Sequence, residues 1–252
     1  MLAESSIPCD MEMIDLKAPE SWSELTLDQL KTVVRLMRLH LTREEFLLAL
    51  FLNFTGVKKA DGSFIAADGR RFTMTDVQVM DFCNRLSFIL DEMPCDIANP
   101  TKVNGHLNDI SFGAYFNADS LMYAYHLHCD KDMVRMALFN LEFGRLEHGK
   151  PMYESPKKVK IEEVDDDYAD LVSLWWTGVQ QWLKEQYPHV FADGEGTGEA
   201  YSPLKARQNI LLMLNEGKPQ DNDRIEQSQV HDVLGALEYR IEQARDMEMR
   251  MK

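Results

Sequence analysis

With 252 residues, 45% of them hydrophobic, the chain is long enough to bury a sizeable core and is not of disordered composition. Its 42 acidic and 27 basic residues leave a net charge of −15, which argues against general nucleic-acid binding and against docking on an anionic membrane. The longest apolar run, Phe46 to Leu52, is far short of the roughly 20 residues that cross a bilayer. The four cysteines (Cys9, Cys83, Cys95 and Cys129) are dispersed without a CxxC, and the start of the chain has neither a basic residue before Lys17 nor an apolar h-region. Reduced thiols and a cytoplasmic location are the expectation.

Three helix starts share one device. Thr26 with Gln29, Thr42 with Glu45 and Thr75 with Gln78 form capping boxes, flanked by Leu25 and Leu30, Leu41 and Phe46, and Met74 and Val79 at the staple positions. The first helix is expected to run to about His40, with Leu30, Val33, Val34, Met37 and Leu41 on one stripe. The second is expected from Arg43 to about Phe54, apolar on nearly all sides and stopped by Gly56. The third should run from Asp76 to about Asp91, ahead of Pro94. Between the second and third, over about residues 57–74, two Asp-Gly turn signals flank "SFIA" and predict a short β-hairpin.

Residues 94–111 read as loop, followed by a helix from about Asp119 to His128, a break, and a helix from about Asp132 to Phe143. The segment 146–164 is rich in Pro, Gly and Lys and reads as a connector with one short strand, "KVKIEEV". A C-terminal helical region over 165–252 follows. Three aspartates, Asp165 to Asp167, complement the dipole of a helix closed by Pro188. "DGEGTGEAYSP" reads as a loop, and Ser202 with Pro203 opens a helix ended by Gly217. "KPQDND" reads as another loop. A last helix, about Gln229 to Met249, carries the stripe Val230, Val233, Leu234, Leu237, Ile241 and Ala244. The fold class is mainly α, a multi-helix bundle with one hairpin insertion. It divides into an N-terminal part (1–145), a connector and a C-terminal part, or forms one continuous domain.

"HLHCDKD", His126 to Asp132, concentrates metal-ligating residue types. On a helix, His126 and His128 stand about 200° apart and cannot grip one ion. His126 with Cys129 can share one, but zinc needs two further ligands from elsewhere. The competing reading is a helix–break–helix corner, with Asp130 or Asp132 capping the second helix. In "LVSLWWTGVQQWL", Trp175 and Trp182 share a face and suit a core; Trp176, about 100° away, suits core or partner surface. "EVDDD" lacks the spacing of a calcium loop and reads as a solvated helix start. "GEGTG" lacks the GK[ST] ending of a phosphate loop, and neither GxSxG nor HExxH is present. No catalytic, metal or cofactor residues are assigned.

Four stretches, "SWSELTLDQL", "FLLALFLNFTGV", "ISFGAYFNADSLMYAY" and "HDVLGALEYRIEQARDMEMR", give the chain a resemblance to helical tail-assembly, or tail-chaperone-like, proteins of tailed phages and prophages. The stretch that carries most of it is FGxYxxADS, Phe112 to Ser120, similar to an FGxFIDLE pattern in that group. The resemblance covers about half the chain. It implies a non-enzymatic protein that binds other phage proteins during morphogenesis, the tape-measure protein among them, without cofactor. Expected partner-binding residues are Phe112, Tyr115, Phe116, Trp176, Leu237 and Ile241. A homo-oligomer, a location in the bacterial host cytoplasm and association with the virion are compatible with it. The rival readings are a metal-dependent enzyme using His126, His128 and Cys129, and an acidic DNA mimic, which requires carboxylates aligned on one face.

Overall fold

A computed structural model describes residues 16–91, 93–95, 100–161, 163–192 and 202–251. Cys9, the N-terminal segment to Asp15 and residues 193–201, most of the expected "DGEGTGEAYSP" loop, lie outside the described residues. The protein is mainly α-helical, with a three-stranded antiparallel sheet and a separate two-stranded hairpin.

All three capping boxes form. They open α1 (Leu27–Met37), α2 (Arg43–Thr55) and α3 (Asp76–Arg85), each with the threonine Oγ1 and the Gln or Glu side chain bonded reciprocally. Helix α1 stops at Met37, short of His40, because His40 takes a left-handed conformation (φ 49°) that turns the chain toward the Thr42 cap. Gly56, with φ 67°, ends α2 as its sequence implies. Helix α3 stops at Arg85, not Asp91; Leu86–Leu90 tightens into a 3-10 turn that buries Leu86 and Ile89 on one side.

The expected hairpin is a three-stranded meander: β1 (Lys58–Ala60), β2 (Ser63–Ile65) and β3 (Arg71–Phe72), paired in that order. Asp61 and Gly62 both have positive φ, as the tight two-residue turn requires. Phe64 is buried, stacks on Phe72 (5.8 Å) and meets the edge of Phe51 from α2 (6.5 Å), which seats the meander on the core.

Helix α4 (Phe112–His128) begins two turns before the expected Asp119. "NADS" imitates a cap, but the burial of Phe112, Tyr115, Phe116 and Ala118 extends the helix through it. Cys129 (φ 53°) ends α4, and Asp130 caps α5 (Lys131–Phe143) through Oδ1 on the Asp132 N–H (2.9 Å). "HLHCDKD" is therefore a helix–break–helix corner. The segment 146–164 holds a hairpin that its composition did not suggest, β4 (Leu146–Glu147) with β5 (Lys150–Pro151), turned by His148 and Gly149 at positive φ. The expected strand "KVKIEEV" forms none among its described residues; Val164 is buried instead.

Helix α6 (Asp166–Gln186) is followed by α7 (Pro203–Asn215), α8 (Asn222–Gln227) and α9 (Val230–Met251). Part of the expected "KPQDND" loop is the 3-10 turn Pro219–Asp221 and the start of α8. Helix α4 packs on α5, α7, α8 and α9, and α6 packs on α1 and α5. One hydrophobic cluster runs from Trp22 to Leu234, with Val33, Phe51, Phe112, Trp175 and Leu234 all fully buried. It draws on both sides of 146–164. Among the described residues no helix is long and apolar enough to cross a membrane.

Candidate functional site: a groove between three helices

Tyr115, Asp119, Met122 and His126 recur at helical spacing and form one face of α4, with Phe116 and Tyr123 beside them. Opposite stand Trp176, Thr177, Gln180 and Lys184 of α6, and Ala206 and Ile210 of α7. Val190, Phe191 and Ala192, in the turn after α6, close one end. Together these residues bound a groove of about 520 Å³, mostly apolar in its walls. Helix α9 anchors that end: the Glu238 carboxylate accepts the backbone N–H groups of His189 (3.0 Å) and Val190 (2.9 Å), and His189 Nδ1 lies 2.6 Å from it.

The floor of the groove is polar at one point. Asp119 is only 8% exposed, yet it lies in the middle of α4. Its Oδ1 accepts from Gln180 Nε2 (3.1 Å) and Trp176 Nε1 (3.4 Å), while Gln180 Oε1 accepts from the Tyr115 hydroxyl (3.4 Å). A buried carboxylate is costly to desolvate, and donors on its oxygen lower that cost. Aromatic rings pack around it. Tyr115 lies 5.9 Å from Trp176 and 5.4 Å, edge-on, from Phe116. The groove thus combines large, mostly buried rings with one recessed, hydrogen-bonded carboxyl group. Such a surface suits recognition of a partner group through apolar contact.

Three of the six expected partner-binding residues, Tyr115, Phe116 and Trp176, meet at this groove. All three are largely buried in its walls rather than standing out from the surface. Phe112 and Leu237 are core side chains that do not line it, and Ile241 is half-buried on α9. Trp175 is fully buried, as its stripe implies, and its Nε1 donates to the Cys95 carbonyl (3.0 Å). Asp119 was missed because its place in "NADS" reads as a helix start. The available signal was the i, i+4 relation of Tyr115, Asp119 and Tyr123 within an otherwise apolar run.

His126 is exposed and lines the groove, while His128 and Cys129 are exposed at the α4–α5 corner. No group of three or more His, Cys, Asp or Glu side chains placed to hold a metal occurs among the described residues. "EVDDD" is not merely a solvated helix start. Asp165 caps α6 through the Tyr168 N–H (2.7 Å) and lies 3.7 Å from Lys31; Asp166 lies 3.3 Å from Lys131. Asp167 pairs with Arg35 (2.5 Å) and Arg38 (2.9 Å) of α1, and Asp170 accepts from Arg38 and from the Tyr125 hydroxyl. The hydrogen-bonded guanidinium of Arg35, and then that of Arg38, hold the Asp167 carboxyl below the usual carboxylate range. Burial, and then Asp170, push the Tyr125 hydroxyl up. These carboxylates fasten α6 to α1, α4 and α5 and do not form a free anionic face.

No protein-family model matches the chain, and no curated protein or solved structure matches it.

Proposed function

We propose that the protein is a non-enzymatic interaction protein that acts in the assembly of a phage or prophage tail. It holds a segment of another structural protein, such as the tape-measure protein, in the groove between α4, α6 and α7. One observation carries the binding part of this reading: Tyr115, Phe116 and Trp176 gather around the buried Asp119 at an open groove wide enough for side chains of a partner. The morphogenetic context rests on the FGxYxxADS resemblance, within which Tyr115, Phe116 and Asp119 line the α4 wall while Phe112 packs into the core. A surplus of acidic residues favours a partner segment of opposite charge. On this reading the protein works in the host cytoplasm, where tails are built.

Co-expression with the products of the adjacent genes, followed by size-exclusion chromatography, tests the reading. A stable complex with a long helical structural protein is expected. A strict monomer that co-elutes with none of those products would overturn it.

A further inference from the structure

We infer that the chain forms a two-fold dimer through a second, aliphatic groove, the one between α1, α2, α6 and the 3-10 turn after α3. The inference goes beyond the assembly reading and does not depend on it. This groove measures about 510 Å³. Its accessible walls are Leu36, Met37, Leu41, Leu90 and Leu174. Met37 and Leu90 are 39% and 41% exposed, and the other three are half-buried. Phe46 and Ile89, both buried, line it as well. Aliphatic side chains left open to water around one concave face mark a contact surface. Two charged side chains also line the groove, Arg43 at the start of α2 and Asp91 just after the 3-10 turn, and both are exposed. Among the described residues neither has an ion-pair partner within the chain.

Charge identifies what covers this face. The molecule carries −15, so its surface as a whole repels a second copy. In this groove the lining charges cancel: Arg43 offsets Asp91, and His40 is the one other titratable group. The cation and the anion stand on different walls, Arg43 at the α1–α2 corner and Asp91 on the segment after α3. A two-fold rotation that lays the face on itself sets Arg43 of each copy against Asp91 of the other. One contact then makes two ion pairs around an apolar centre, as a self-complementary interface requires. A partner segment of a single charge sign would satisfy one of these groups and oppose the other.

Sedimentation equilibrium of the full chain, from micromolar to near-millimolar concentration, tests the inference. The native chain is expected to pass from monomer to dimer and no further, because a two-fold contact closes on itself. Arg43→Glu alone and Asp91→Arg alone each place like charges at both pairs and are expected to weaken the dimer about tenfold or more. Mixed one to one, the two variants meet opposite charges at both pairs, and the mixed dimer is expected to form with native affinity. Leu90→Lys sets an unpaired charge in the apolar centre and is expected to abolish the dimer. A native chain that stays monomeric, growth beyond the dimer, a dimer indifferent to both reversals, or a mixture no tighter than its components would overturn the inference. The first two outcomes need no substituted protein, so a folding defect in a variant cannot decide them. A native chain that is monomeric alone, and whose complex with a tail protein is lost in Leu90→Lys, would give the face to that protein and remove the dimer. A monomeric chain whose complex survives Leu90→Lys would remove the dimer and leave the assembly role standing.

Discussion

At Gly178 a methyl group would stand 1.8 Å from the carbonyl oxygen of Met93, so α6 lies flush against the backbone that precedes the loop to α4. Trp175, one turn earlier, donates to the next carbonyl but one, that of Cys95. Because backbone cannot yield as a flexible side chain does, Gly178→Ala is expected to cost about 2–3 kcal/mol in urea denaturation. A variant as stable as the native chain would show that the contact relaxes freely. Nothing in "WWTGVQQ" marks that glycine, since an isolated glycine in a helical pattern looks the same whether or not a backbone crosses it. Asp119 was hidden for a related reason. A carboxylate beside Ser120 has the local chemistry of a cap, and only the burial of residues on both sides of it places it inside α4.

Elements with local signals were the legible ones. The threonine boxes at 26, 42 and 75 place three helix starts, because a capping bond closes within one turn and needs no tertiary partner. The start of α4, the β4–β5 hairpin and α8 depend on distant packing. The Phe112 N–H bonds to the Ser228 carbonyl, and the Arg145 guanidinium reaches Asp109 (2.8 Å). The N-terminal turn of α6 shows the same division. Its aspartates read correctly as helix-start residues, but their pairing with Arg35, Arg38, Lys31 and Lys131 is a tertiary fact. The pairing has a pH signature. The Asp167 carboxyl titrates lower in the folded chain than in the unfolded one, so its contribution is present above the ordinary carboxylate value. It is lost as pH falls through the lower, folded value. At neutral pH Asp167→Asn is expected to lower the melting temperature by about 2–4 °C. As pH falls below roughly 4 the two melting curves should draw together, meeting only once pH is below the lowered, folded value. A constant gap across that range would show that Asp167 acts through packing rather than charge.

For the molecule as a whole, the composition shift at 146–164 suggested a boundary, yet the hydrophobic cluster passes through it. Trp175, Val179 and Leu183 of α6 join the same core as Leu30, Val33 and Phe112. Separate fragments 1–160 and 161–252 are therefore each expected to lack cooperative melting, with the native state recovered only on mixing or in the intact chain. Two fragments that each melt cooperatively would establish independent domains. The groove depends on the same unity, since α4 lies before the segment and α6 and α7 after it. Its claim to be the contact surface is tested most directly by filling it from the α7 side. Ala206 faces the groove, whereas Leu212 on the same helix is 64% exposed and does not line it. Titration calorimetry of the co-expressed partner against Ala206→Trp and Leu212→Trp separates the two surfaces. Ala206→Trp is expected to weaken binding tenfold or more, on the order of 1.4 kcal/mol, while Leu212→Trp binds as the native chain does. Native affinity in Ala206→Trp would contradict it.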